Sequence, residues 1–157
     1  MTEKIIPLWA DHFRYTREYI FAIVYNHFLN EVGTRLFKNQ EQLGENLASF
    51  YGEQKGDEFH QLLHKHIEIM SYIIITIIKG KDIQDLNEEW EENGERIGIF
   101  LNSLLRTNEM ENLMIEYLKA TFTEIIDIIN HKDAIKTGDI ASKNTMKIAE
   151  KIYELLV

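Results

Sequence analysis

The chain has one proline, Pro7, and none after it. A first helical turn tolerates proline, because the N–H it lacks would have no partner there anyway. Past that point only glycines and short polar clusters interrupt a helix, and apolar residues recur at helical spacing along the whole length. The spacing predicts a first helix over about Pro7 to Phe28, built on Trp9, Phe13, Ile20, Ile23 and Val24. After a turn at 30–33, a second is expected over about Thr34 to Phe50, closed by Tyr51-Gly52, glycine being the usual residue just past a helix. A third spans about Asp57 to Lys79 and stops at Gly80-Lys81-Asp82. The fourth covers about Ile83 to Leu105. The fifth opens where Asn108 and Glu111 have capping-box spacing and runs to about His131. The sixth covers about Asp139 to Leu156, after the turn signal Lys136-Thr137-Gly138-Asp139. The one β-branched run, from Tyr72 to Ile78, lies inside a longer helical period with no turn before it, so it stays helical. Short connections force neighbouring helices antiparallel. The expected fold is all-α: one domain over residues 1–157, an up-and-down bundle of about six helices without internal repeat or linker.

Composition narrows the function classes. The chain has no cysteine, which removes disulfides, thiolate metal sites and thiol nucleophiles and fits a cytoplasmic setting. A net charge of −9 with no basic stripe repels a phosphate backbone, so nucleic acid is not an expected partner. The N-terminal segment has neither the basic start nor the apolar run of a signal peptide. The stretch from Ile67 to Ile78 is too short and too interrupted for a membrane span, so no membrane is expected. Richness in Ile, Lys, Asn and Glu points to an AT-rich bacterial genome.

What interrupts the apolar stripes is the informative part. His12 and Thr16 fall among Trp9, Ile20 and Ile23 on the first helix. Gln40 falls between Leu36 and Leu43 on the second, His66 between Leu63 and Met70 on the third, and Asn93 between Trp90 and Ile97 on the fourth. On the fifth, Tyr117, Thr121 and Glu124 share the stripe of Met110, Met114 and Ile128. At 1.5 Å of rise per residue these groups come to similar heights and form one polar layer across mid-bundle. Such groups cost several kcal/mol each unless they satisfy one another or hold water or a ligand. Arg17, one residue off its stripe, reaches in towards Glu124. Two imidazoles and a carboxylate suit a divalent transition metal, so His12, His66 and Glu124 are the candidate metal ligands, held in place by Arg17 and Gln40. Asn93, Tyr117 and Thr121 line the same centre.

Other motifs fail on their spacing. A dinuclear carboxylate bundle needs Glu-x-x-His, which this chain lacks. His60 and His64 stand at i, i+4, but Gln61 follows where a zinc protease needs Glu, and the pair reads as a solvated face. Gly94 and Gly98 read as close helix packing, and the acidic residues around Trp90 as a solvated face.

Several of these segments resemble a family of small uncharacterised bacterial helical proteins. The resemblance rests on Leu8-Trp9, His12, Thr16-Arg17, Asn39-Gln40, Gly44, Tyr51-Gly52 and His66-Ile67, with a weaker match at Trp90, Asn93, Thr121 and Glu124. It covers most of the first five helices and implies a helical bundle and the same polar residues, but no activity. Tyr117 stands where relatives tend to have His, a departure that argues against a His-rich metal site. Two readings stay open: a bundle binding a metal ion or small polar ligand at mid-core, or a non-catalytic structural or interaction protein. In the second the polar layer only fixes helix register, and Ile148, Ile152, Leu155 and Leu156 bury in a homodimer.

Overall fold

Six helices carry almost the whole chain in the computed structural model, which describes residues 1–157: α1 Ile5–Tyr25, α2 Leu29–Tyr51, α3 Glu53–Ile78, α4 Gln84–Leu105, α5 Met110–Ile129 and α6 Ile135–Leu156. There is no strand, and the β-branched run of α3 is helical, as its period requires. Each helix packs on the next, and α6 returns to pack on α1, so the bundle closes on itself. Inside that ring α1, α3 and α5 also touch one another. These three are the inner helices, and their facing sides carry much of the apolar core: Ile20, Ile67, Ile73, Ile74 and Ile125 are wholly buried.

Three local expectations need correction. The first turn is at 26–28 rather than 30–33, where Asn26 and Phe28 take positive φ. Asparagine tolerates that conformation, while Gly33 lies inside α2 and gives room to the Tyr19 ring. The Asn108–Glu111 capping box does not form. Instead Asn102 of α4 accepts the Met110 N–H at 2.9 Å and donates to Glu111 at 2.7 Å. The polar cluster 136–139 is no turn but the first turn of α6, which begins at Ile135. Gly138 is there for close approach: a Cβ would run into the guanidinium of Arg17. Gly94 and Gly98 do serve packing, Gly94 against Leu118 and Gly98 against the backbone of Glu111. The supposed free face of α6 is largely consumed within the chain: Ile148 and Ile152 are buried, Leu156 half-buried, and only Leu155 is exposed.

The ring is also a repeat, contrary to the expectation of none. Ile5, Trp9, His12, Thr16 and Ile20 of α1 correspond to Phe59, Leu63, His66, Met70 and Ile74 of α3, and to Met110, Met114, Tyr117, Thr121 and Ile125 of α5. All fifteen are buried. The partner helices follow suit, with Leu36, Asn39, Leu43 and Leu47 of α2 matching Trp90, Asn93, Ile97 and Leu101 of α4. On α6 the matching residues are Ala141, Asn144, Ile148 and Ile152. The protein is thus three helical hairpins around one axis, each sending the same inner position towards that axis.

Candidate functional site

The polar residues of the stripes are buried, and several of them are held by specific hydrogen bonds. Asn39 Nδ2 donates to the carbonyl of Leu8 at 2.9 Å. A carbonyl only accepts, so the other end of the amide, Oδ1, faces His12 Nδ1 at 3.0 Å. His12 Nδ1 therefore carries the proton and donates it. The next hairpin repeats the device: Asn93 Nδ2 donates to Leu62 O at 3.2 Å, and His66 Nδ1 donates to Asn93 Oδ1 at 2.8 Å. Trp90 stacks on the His66 ring with centroids 5.0 Å apart and donates its indole N–H to the His66 carbonyl at 3.1 Å. Each asparagine thus fixes both the orientation and the tautomer of its histidine, leaving Nε2 as a bare acceptor.

Four buried side-chain atoms make no hydrogen bond: Thr16 Oγ1, Gln40 Oε1, His66 Nε2 and the Tyr117 hydroxyl oxygen. All four belong to the expected layer. Gln40 uses its amide N–H to reach the carbonyl of Leu63 at 2.9 Å, which leaves its oxygen over. His66 and Tyr117 occupy the same repeat position on neighbouring inner helices, with ring centroids 5.9 Å apart. Burial lowers both imidazoles to about 4, the asparagine bonds opposing it in part, and the presence of His12 also works against charge on His66. Burial pushes the Tyr117 phenol up to about 12, against the pull of Thr121 and with some help from Glu124. At neutral pH the centre is two neutral imidazoles and a protonated phenol.

Arg17 and Glu124 form a separate part. Arg17 donates to Glu124, as the stripe positions predict, and reaches the carbonyl of Ala134 at 3.4 Å where α6 begins. Its guanidinium also lies 5.4 Å from the centre of the Phe21 ring. Burial raises the Glu124 carboxyl above its ordinary value, with Arg17 pulling the other way. Glu124 is committed to this pair two turns beyond Tyr117 on α5. No group of three His, Asp or Glu side chains is placed to hold a metal ion, so His12, His66 and Glu124 are not gathered as one ligand set. Thr121 is buried next to Tyr117 in the same stripe.

Asn39, which entered only as half of the Asn39-Gln40 motif, proves to be the counterpart of Asn93. The signal that finds it is the 27-residue separation from His12, identical to that between His66 and Asn93. Asn144 stands at the same distance from Tyr117 but turns back to its own helix, donating to Ile140 O at 2.9 Å. It lines a groove of about 410 Å³ between α5 and α6 instead. The main surface grooves contain none of the residues of the polar centre. His60 and His64 face outwards, their rings 6.1 Å apart, with His64 against Phe37.

The fold and centre define a class: a closed, three-hairpin helical bundle with oriented, buried histidines on two of its inner helices. No family model, curated protein or solved structure matches the chain, so the resemblance noted above rests on its own motifs. No helix is long and apolar enough to cross a membrane.

Proposed function

We propose that the protein binds a metal ion or small polar ligand at the centre of its helix ring, between α1, α3 and α5. The observation that carries this is His66 Nε2. It is a buried lone pair, oriented by Asn93 and Trp90, with nothing to accept from. An unpaired buried polar atom costs about 1–3 kcal/mol, and four such atoms lie among the buried polar side chains of this core. A purely structural layer gains nothing from leaving them unpaired. Neither imidazole titrates near neutrality, so the centre is suited to binding rather than to proton transfer. A chain without cysteine and rich in Ile, Lys, Asn and Glu fits a bacterial cytoplasmic setting for this role.

A second reading has its own observation. The Asn39–Leu8 and Asn93–Leu62 bonds tie neighbouring helices together at fixed height, which is how a buried polar residue sets register. Native mass spectrometry with elemental analysis, on protein purified without affinity tag or chelator, separates the two. A stoichiometric ion or molecule, lost in His66→Ala while helicity persists, is the expected result. A clean polypeptide mass, unmoved by added metals or by a small-molecule extract, leaves the polar layer as a packing device.

A further inference from the structure

Resting on that reading, we propose that the centre is a metal site whose third protein ligand is Tyr117, so that a divalent first-row transition-metal ion is held by His12 Nε2, His66 Nε2 and the Tyr117 phenolate oxygen on the axis of the repeat. The three residues occupy one position of the three hairpins, and the helices that bear them, α1, α3 and α5, are those in mutual contact. All three side chains are buried, at 2%, 2% and 5% exposure. The histidines present Nε2 because asparagines hold Nδ1–H, the arrangement that protein metal sites use to fix a ligating imidazole. His66 Nε2 has no other partner, and the Tyr117 oxygen makes no hydrogen bond of regular geometry, with only the Thr121 side chain near enough to act on it.

The spacing of the His66 and Tyr117 rings fits as well. Metal–ligand bonds of about 2 Å at a tetrahedral angle put an imidazole and a phenolate ring roughly 6 Å apart, centre to centre. The His66 and Tyr117 rings are 5.9 Å apart. Glu124 cannot play the part, because it lies about 10 Å further along α5 at 1.5 Å per residue and is paired with Arg17. On binding, the O–H bond of Tyr117 breaks, an oxygen–metal bond forms and one proton leaves to solvent. The ion then carries a net single positive charge with its phenolate, less costly to bury than a bare dication. A neutral imidazole in place of Tyr117 removes the need to ionise a phenol held at about 12.

The test refolds the full chain from urea with and without Co²⁺ and follows visible absorption, tyrosinate ultraviolet difference absorption and bound-metal stoichiometry. One Co²⁺ per chain, with one tyrosinate and one proton released, is expected. His12→Ala and His66→Ala lose it, Tyr117→Phe binds at least tenfold more weakly without the tyrosinate signal, and Tyr117→His binds at least tenfold more tightly without it. Glu124→Gln and a His60→Ala/His64→Ala double variant keep wild-type binding. Co²⁺ bound equally well by Tyr117→Phe but lost in His66→Ala overturns the tyrosine ligand and leaves the core site standing. A small molecule retained at the core in place of Co²⁺ overturns the metal site alone. Binding lost only in the His60/His64 variant, with a core that retains nothing, overturns both this inference and the binding reading.

Discussion

His66 Nδ1 lies 2.8 Å from Asn93 Oδ1, and the same asparagine donates to the carbonyl of Leu62, one turn before that histidine. His12 and Asn39 repeat this with Leu8. Asn93 therefore works twice, as a helix tie and as a tautomer lock. Asn93→Ala breaks both bonds and leaves Leu62 O with only its helical partner, so a loss of roughly 2 kcal/mol is expected. Urea denaturation reads that loss as a lower midpoint with an unchanged slope. Nitrogen NMR of the His66 ring gives the sharper result: a single Nδ1–H form in the native protein and a mixture of tautomers in Asn93→Ala. A His66 ring that keeps one tautomer without Asn93 would show that the lock lies elsewhere.

Acid should destabilise the protein through its two buried histidines. Both are lowered from 6.5 to about 4 by burial. Between those values the unfolded chain takes up protons and the folded one does not, so stability falls as pH drops from 6.5 and the loss is complete near 4. Each histidine accounts for roughly 3 kcal/mol at most. Glu124 opposes this, since burial raises its folded value and stability from that group grows as pH falls. Urea midpoints at pH 7.0, 5.5 and 4.5 should decline steadily, and His12→Gln should flatten the decline by about half. A midpoint unchanged down to pH 4.5 would mean that the imidazoles are protonated or solvated in the native state.

The helices were legible because a chain with no proline after Pro7 and with 3.6-residue periodicity leaves few alternatives, and the buried polar residues were legible because they break that periodicity. His12, Gln40, His66, Asn93, Tyr117, Thr121 and Glu124 are all buried as their stripe positions imply. The repeat was not legible, for physical reasons. Its apolar positions are filled by side chains of different shape, such as Trp9, Leu63 and Met114, because packing asks for volume rather than identity. Its polar signature changes too, from His12 and His66 to Tyr117. The start of α6 was hidden because Gly138 has the propensity of a turn and the position of a contact. In that case a neighbour on another helix decided the residue, and no local pattern carries such information.

Arg17 and Glu124 join α1 to α5 with the carboxylate almost wholly inside, at 2% side-chain exposure against 27% for the arginine. Removing the arginine alone strands a buried charge, and Arg17→Met should cost roughly 3 kcal/mol at pH 7. The carboxyl of that variant is raised further, so the folded state holds its proton more tightly than the unfolded one. Part of the stability therefore returns as pH falls through the new folded value towards the ordinary one. Arg17→Met/Glu124→Gln should lie well above Arg17→Met in thermal midpoint at pH 7, because no charge is left inside. Equal midpoints for the single and double variants would mean that Glu124 is hydrated and not dependent on Arg17.

Gly138 tests the same pair from the third side. In the middle of a helix alanine is favoured over glycine by about 1 kcal/mol, and at the first turn of α6 by somewhat less. Propensity thus predicts that Gly138→Ala stabilises. Contact predicts the reverse: the new methyl would meet the guanidinium of Arg17 and come within 3.1 Å of Glu124 Oε1. An arginine end group can swing aside in water, but here it is anchored by Glu124 and by the carbonyl of Ala134, so moving it gives up the ion pair. Gly138→Ala should therefore destabilise the wild type by about 1–3 kcal/mol, the range for an overpacked site. In the Arg17→Met/Glu124→Gln background the guanidinium is gone, and the same substitution should be neutral or mildly stabilising. A double-mutant cycle in urea measures the difference directly. A cost that is the same in both backgrounds would place the clash in the helix backbone and remove Gly138 from the account of the ion pair.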